Sequence, residues 1–346
     1  MAIDTKRLQA IIDEKLKPVV KKVDEQAFYA EDYIIALGEA GFFDSTTKDE
    51  ATILQDEAFV VLETAKVCMT TAFCVWCHLA ALTYIRKSSN HYLRTALLPK
   101  LENGELLGAT GLSNPMKFYS GLEKLHLSAE KVEGGYVING ILPAVSNLGK
   151  RHYFGAIASV GEQEVMVLVS TQTKGLELKE KVGFIGVNGS ATYTCKFDHV
   201  FIPQEQVIAE LAGAFCDVIR PTFIYYQVPL GAGVISAAAE GIEKVKAKQN
   251  GCNEHLQVQA GKLYDNYDRI MNELYVQAKN VSLKSIVETR LQAVQDTLEA
   301  VQANMLHNGA AGYVAGSVAS RKLREAYFFA NLTPTVRHLE KLKVKL

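Results

Sequence analysis

The sequence predicts a mostly α-helical protein with a β domain at its centre, and three observations carry that prediction. Through roughly the first hundred residues, apolar side chains recur at helical spacing. From about Leu106 they alternate with polar ones at period two, in short runs divided by glycine-rich turns. From about Gly213 the helical spacing returns. The two switches divide the chain into an N-terminal helical domain (1–105), a β-sandwich or barrel (106–212) and a C-terminal helical bundle, four-helix in type (213–346).

Each element has its own signal. Ile11, Ile12, Leu16 and Val19 space a first helix. Tyr29 to Ala40 forms a second, with Gly41 as its stop. Ala51 to Tyr84 is mostly apolar or small and free of proline, which predicts one or two buried helices. Pro99 and Glu102-Asn103-Gly104 close the region. Leu125 to Glu130 and Tyr136 to Gly140 alternate on either side of Gly134-Gly135, the pattern of a hairpin. Val165 to Val169 reads as a buried strand. Tyr193 to Phe197 alternates again and leads into Val200 to Pro203. Leu230 to Val245 carries small residues that permit close helix packing. Gln257 to Asn280 and Ser282 to Leu306 read as long amphipathic helices, with faces suited to each other and to a second subunit.

At 346 residues the chain can hold two or three domains. Thirty-seven basic against 38 acidic side chains leave a net charge of -1, with no basic excess for nucleic acid. No uncharged apolar run is long enough for a bilayer. Met1 to Val20 is polar and lacks the apolar core of a signal peptide, so a cytoplasmic protein is expected. Six scattered cysteines suit reduced thiols. Cys74-Val75-Trp76-Cys77-His78 has the spacing of covalent haem attachment, but that chemistry needs export, and zinc needs further ligands close by. The segment reads as a buried helix with small sulfur side chains, and no metal is expected.

Several segments carry motif-like residues in order. They are Gly111-Leu112-Ser113-Asn114-Pro115, Gly135 to Gly140, Ala144-Val145-Ser146-Asn147, Gly186 to Pro203, Gly309 to Tyr313 and Arg324 to Thr335. Taken alone, Leu112 to Pro115 reads as a turn, because Asn-Pro favours turns, and Ser146-Asn147 as a turn at a strand end. Together the segments resemble the acyl-CoA dehydrogenase superfamily, with its A-L-T-E-P, G-Y-x-L-N-G, W-I-T-N, F-D-x-V-x-V-P, G-G-x-G-Y and R-D-A…E-G-T motifs. The resemblance spans roughly residues 30 to 340.

It implies a flavin-dependent oxidoreductase acting on CH–CH groups of an acyl thioester or related small molecule. The implied cofactor is FAD, with FMN open. Leu112, Ser113, Val145 and Ser146 are implied at the flavin ring, which needs neutral hydrogen-bond donors and close backbone approach. Ala144 stands where the family's tryptophan flanks that ring. Ser120 is the remaining hydroxyl for the phosphate region, Arg220 falls at the substrate, and Gly309 and Ala310 fall where subunits of a homodimer or homotetramer share the cofactor.

The departures are as informative. Dehydrogenation of an acyl thioester needs a tuned carboxylate as base. The family's usual glutamate position is Thr333, followed by Pro334. Its other known position, before Arg220, is Ile219. Three readings follow: a dehydrogenase with a displaced base, Asp217 or Glu325; a flavin-dependent monooxygenase of the same superfamily, suggested by Phe118-Tyr119-Ser120-Gly121; or a non-catalytic paralogue that binds a thioester or partner subunit. Structurally, Asp217 also reads as a helix cap and Glu325 as an ion-pair partner. Met116 to Ser120 replaces G-A-G-S-D, Lys246 to Leu256 lacks R-x-x-F-G, and Leu306 replaces a glutamine, so the phosphate and adenine side is altered. His78, His91, His152 and His338 lie in no nucleophile or metal motif. Lys341, Lys343 and Lys345 suit a solvated helix end.

Overall fold

A computed structural model describes residues 3–346. Six α-helices come first among the described residues: α1 (Thr5–Ile11), α2 (Val20–Glu25), α3 (Glu31–Glu39), α4 (Glu50–Val67), α5 (Met69–Lys87) and α6 (Leu98–Glu102). Asp49 caps α4, its carboxylate accepting from the Thr52 N–H at 2.8 Å. The apolar stretch from Ala51 to Tyr84 is two helices because Cys68 is extended (φ -150°, ψ 106°) and breaks the turn. Helix α5 is buried from Met69 through Ile85, which explains why it is apolar all round. Gly41 ends the α3 turn at φ +77°, a conformation glycine adopts at no steric cost.

The strands follow: β1 (Leu107–Thr110), β2 (Leu127–Val132), β3 (Gly135–Val145), β4 (His152–Val160), β5 (Gln163–Ser170), β6 (Leu176–Glu180), β7 (Tyr193–Pro203) and β8 (Val207–Ala209). They form one sheet in the order β6-β7-β3-β2-β4-β5-β8, with β1 pairing in parallel to β4. The β2–β3 hairpin turns at Glu133-Gly134. Ile138, Phe154, Val167, Cys195 and Ile202 belong to a core that the sheet encloses for itself.

A short helix, α7 (Ser113–Phe118), interrupts the strands after β1. The turn expected at Leu112 to Pro115 is therefore its first turn, driven by burial of Asn114, Pro115 and Met116. The remaining helices are α8 (Ala212–Tyr225), α9 (Val228–Val245), α10 (Lys248–Gly251), α11 (Ala260–Gln277), α12 (Leu283–Asn308), α13 (Ala310–Tyr313), α14 (Val318–Asn331) and α15 (Val336–Lys343). Helix α9 packs against α4, α11, α12 and α14. Its small residues allow this: a Cβ on Gly233 would lie 2.6 Å from the Ala65 methyl and 2.8 Å from the Leu62 carbonyl.

The class expected from the changes of period is thus the class observed, helices around a central sheet. Among the described residues, no helix is long and apolar enough to cross a membrane.

Candidate functional site

Strand β1 and the end of β3 are held side by side by a bridge between Thr110 and Ser146. Helix α7 starts three residues beyond Thr110, and the α14–α15 loop closes over it. Thr110, Ser113, Ala144, Ser146 and Thr333 thereby line one cavity of about 160 Å³. Phe73, Trp76 and Cys77 of α5, Phe223 of α8 and Phe328 of α14 wall it. The Trp76 indole N–H donates to the Phe223 carbonyl at 3.1 Å, tying two of those walls together. A second cavity of about 340 Å³ shares Ala144, Ser146, Phe328 and Asn331 and extends past Ile185, Gly186 and Tyr327.

The polar lining is a set of neutral hydroxyls. Ser113 Oγ and Thr333 Oγ1 are 2.9 Å apart. Ser146 Oγ lies 2.7 Å from Thr192 Oγ1, which lies 2.8 Å from Ser190 Oγ. Tyr84 Oη pairs with Thr110 Oγ1 at 2.7 Å. Burial pushes the Cys77 thiol well above its ordinary range, so it is neutral too. Asn331 completes the lining, which includes no carboxylate among the described residues.

Beneath Thr333 lies a buried chain of polar groups. Gln227 Nε2 donates to the Thr333 carbonyl at 2.9 Å, and Arg290 Nε donates to Gln227 Oε1 at 3.0 Å. Arg290 Nη2 donates to the Phe329 carbonyl at 2.7 Å, and the guanidinium lies 3.6 Å from the centre of the Phe329 ring. Arg290 and Gln227 are both 0% exposed. Burial pushes the Arg290 guanidinium down to about 9.

The other residues singled out from the sequence lie elsewhere. Leu112 and Val145 are fully buried next to Ser113 and Ser146 and lie outside the cavity lining. Ile219 is likewise buried on α8. Arg220 pairs with Asp217 at 3.0 Å and does not line the cavity. Asp217 sits in the middle of α8 with its side chain 73% exposed, so it does not cap that helix. Glu325 is buried between Arg321 and Lys322, 3.5 Å from each, and accepts from the Thr70 N–H at 3.3 Å.

Ser120 donates to the Met116 carbonyl at 3.0 Å. Its oxygen therefore accepts from His338 Nε2, beside a separate cavity of about 350 Å³ lined by Lys117, Thr335, Arg337 and His338. Desolvation and the nearby Arg220, Lys117 and Lys341 push His338 down to about 4. Gly309 and Ala310 line a cavity of about 370 Å³ at the far end of the bundle, with Val245, Gln249 and His307.

The structure thus brings Ser113, Ala144, Ser146 and Thr333 together and leaves Ser120, Arg220, Gly309 and Ala310 apart from them. Sequence reasoning missed Phe73, Phe223 and Phe328 as site walls, because an apolar residue at helical spacing reads as core. It also missed Gln227 and Arg290. A glutamine at a helix start and an arginine within a long amphipathic helix read as surface, and only the packing shows them buried.

The family model described as acyl-CoA dehydrogenase, N-terminal domain, matches residues 5–105. The chain is 23% identical over 233 residues to a benzylmalonyl-CoA dehydrogenase of Aromatoleum aromaticum, covering 65% of this chain and 62% of that protein. It is 26% identical over 267 residues to a mitochondrial 2-methylacyl-CoA dehydrogenase of Solanum tuberosum, covering 70% of this chain and 63% of the relative. Each match spans under two thirds of the curated relative's length. In fold, the chain is similar to the butyryl-CoA dehydrogenase of Megasphaera elsdenii, with a TM-score of 0.87 at 16% identity over 98% of this chain and 96% of the other. It is also similar to the prolyl acyl carrier protein oxidase AnaB, with a TM-score of 0.82 at 15% identity over 99% of both chains.

Proposed function

The chain belongs to the acyl-CoA dehydrogenase superfamily, and within it we propose a flavin-dependent oxidoreductase whose usual catalytic base is absent. One observation carries this reading: Ser113, Ala144, Ser146 and Thr333, up to 220 residues apart, line a single cavity with aromatic walls. The donor set suits a flavin ring. Its polar groups are neutral and mostly hydroxyls, which can bond ring oxygens and nitrogens without fixing a charge there. FAD is the proposed cofactor and supplies hydride acceptance when bound.

Within that reading, Ser113 and Ser146 bond the ring edge. Leu112 and Val145 bring their backbone close, and Ala144 leaves open the space a larger side chain would fill. The substrate is a small molecule with an apolar body, an acyl thioester in the first instance, held between α5 and α8. Thr333 occupies the base position with a hydroxyl, which cannot accept a proton from carbon at neutral pH. The alternatives are poorly placed. Asp217 points to solvent, and Glu325 is committed to Arg321, Lys322 and Thr70. Ordinary acyl-CoA dehydrogenation is therefore absent or very weak.

The carboxylate-free lining also favours a second reading, oxygen-dependent monooxygenation, which needs no such base. The chain forms a homodimer or homotetramer in this proposal. Exposed Leu306, Tyr313, Val314 and Val318 around Gly309 to Gly312 support that assembly.

The test is absorbance of the purified protein. A visible flavin spectrum, as isolated or after adding FAD or FMN, is expected. Protein that neither carries nor takes up flavin overturns the proposal.

A further inference from the structure

Arg86 and Arg290 are both withdrawn from solvent, Arg290 completely, and they are treated in opposite ways. Arg86 meets two carboxylates, Glu57 at 2.8 Å and Glu102 at 2.9 Å. Arg290 meets none. Its partners are the amide of Gln227, the carbonyl of Phe329 and the Phe329 ring, and its Nη1 has no partner. Burying an unpaired charge is costly, and an aromatic face with two neutral acceptors offsets only part of that cost. Neither acceptor lines the cavity, but each lies one step behind its lining. Gln227 passes the contact to the Thr333 carbonyl, and Thr333 Oγ1 meets Ser113 Oγ. Phe329 follows Phe328, which walls the same cavity.

We propose that Arg290 and Gln227 are a positioning pair, which fixes Thr333 against Ser113 and lends the cavity floor an uncompensated positive charge. The group seated above is then one that carries or develops negative charge during turnover. This inference rests on the preceding assignment of the cavity as the flavin and substrate site. Two consequences separate. The hydrogen bonds set the geometry of residues 329 to 335. The charge sets the preference for an electron-rich occupant over its neutral form.

Three variants divide these consequences. Gln227→Glu places a carboxylate against the guanidinium, which cancels the charge and removes the donor to Thr333. Arg290→Lys keeps the charge and loses the fork that holds Gln227 and Phe329 together. Arg290→Met removes both. The first measurement is flavin affinity in the oxidised and reduced states, using added FAD. Gln227→Glu and Arg290→Met are expected to lower the preference for reduced flavin by about tenfold, the order expected for one charge at partly screened separation. Arg290→Lys is expected to keep it within about threefold of wild type.

The second measurement is deuterium uptake by the peptide covering 329 to 335, which needs no flavin. All three variants are expected to raise it. An unchanged flavin preference in Gln227→Glu overturns the electrostatic half. Unchanged uptake in both Gln227→Glu and Arg290→Lys overturns the positioning half. These two conservative variants keep the test decisive if Arg290→Met fails to fold. If wild-type protein takes up no flavin, the functional assignment fails and the electrostatic half fails with it, while the uptake arm still decides the positioning half.

Discussion

Helices α9 and α12 run side by side between two cavities, and their two ends are built differently. At one end Gln227 and Arg290 meet, Gly231 packs onto Phe329 and Thr297, and every one of these side chains is buried. At the other end Asn253 bridges the Val245 and His307 carbonyls. Around it the backbone takes positive φ, with Gln249, Asn250 and Gly309 all above +50°, and Leu306 is 66% exposed. The first end lies under the hydroxyl-lined cavity, where the family motifs are recognisable. The second lies where R-x-x-F-G is missing and a leucine replaces glutamine. Buried polar groups must find partners or forfeit stability, so the first end tolerates few residues. The second also buries Asn253 and His307, but it leaves Lys248, Gln249 and Asn250 to water, which constrains those residues less.

If the site end is intact apart from its base, one substitution there should have the largest effect. Thr333→Glu is expected to raise flavin bleaching by an acyl-CoA, with an artificial acceptor, by ~10²-fold or more, the usual worth of a positioned general base. The new carboxylate would stand beside Ser113 and above the Gln227–Arg290 pair. Anaerobic stopped-flow absorbance of variant and wild type is the check. Robust bleaching by wild type would sink the claim that the base is gone, and Asp217 and Glu325 would be the next residues to replace.

The same contrast explains what the sequence made legible. The change from helical to alternating spacing near Leu106 was readable because the sheet buries alternate residues around its own core, as Cys195, Phe197, Val200 and Ile202 do in β7. Ser113, Ser146 and Thr333 were readable because short motifs set them off from their neighbours. The α7 helix was not, since Asn114-Pro115 carries a strong turn signal that burial of Met116 overrides. Nor was the cavity floor. Gln227 and Arg290 stand 63 residues apart. Nothing local distinguishes them from surface groups, and their role exists only once three helices have packed.

A pH titration probes the site end from beneath. His78 is on α5, next to Cys77 of the cavity wall, and its Nδ1 accepts from the Gly108 N–H at 2.9 Å. Burial, with His152 and Arg86 nearby, pushes it down to about 3. An unfolded chain takes up the proton near pH 6.5, whereas the folded chain refuses it until about pH 3. The sign is therefore destabilising on acidification, beginning as pH falls below 6.5. Between pH 6.5 and 4 the loss is about 3 kcal/mol from this group. Urea unfolding across that range is the check. His78→Gln can still accept from Gly108 and cannot titrate, so it should flatten the acid limb. An identical limb in that variant would assign the loss to other groups.

Packing at the site end should also resist small additions. A Cβ on Gly231 would stand 2.4 Å from Phe329 Cε1 and 2.6 Å from Thr297 Oγ1. Gly231→Ala is expected to cost about 1–3 kcal/mol, the usual range for overpacking, and to loosen flavin binding as Phe329 shifts over Arg290. A urea midpoint equal to that of wild type would mean that the ring swings aside freely and that the floor is softer than its hydrogen bonds suggest.

The smallest effect belongs to the far end and should have the opposite sign. Gly261 is the second residue of α11, just after Gln259, whose amide donates to the Asn253 and Leu256 carbonyls. A Cβ there would meet nothing within 4 Å, and its backbone is not left-handed. Glycine in a helix leaves more conformational freedom to the unfolded chain than alanine does. Gly261→Ala is therefore expected to stabilise by about 0.5–1 kcal/mol, with flavin uptake unchanged. Urea unfolding measures the gain, and sedimentation run in parallel gives the result its meaning. A loss of stability together with a weaker oligomer would show that a second subunit packs against Gly261. The far end would then be exposed only in the isolated chain, and it would be the surface on which the assembly closes.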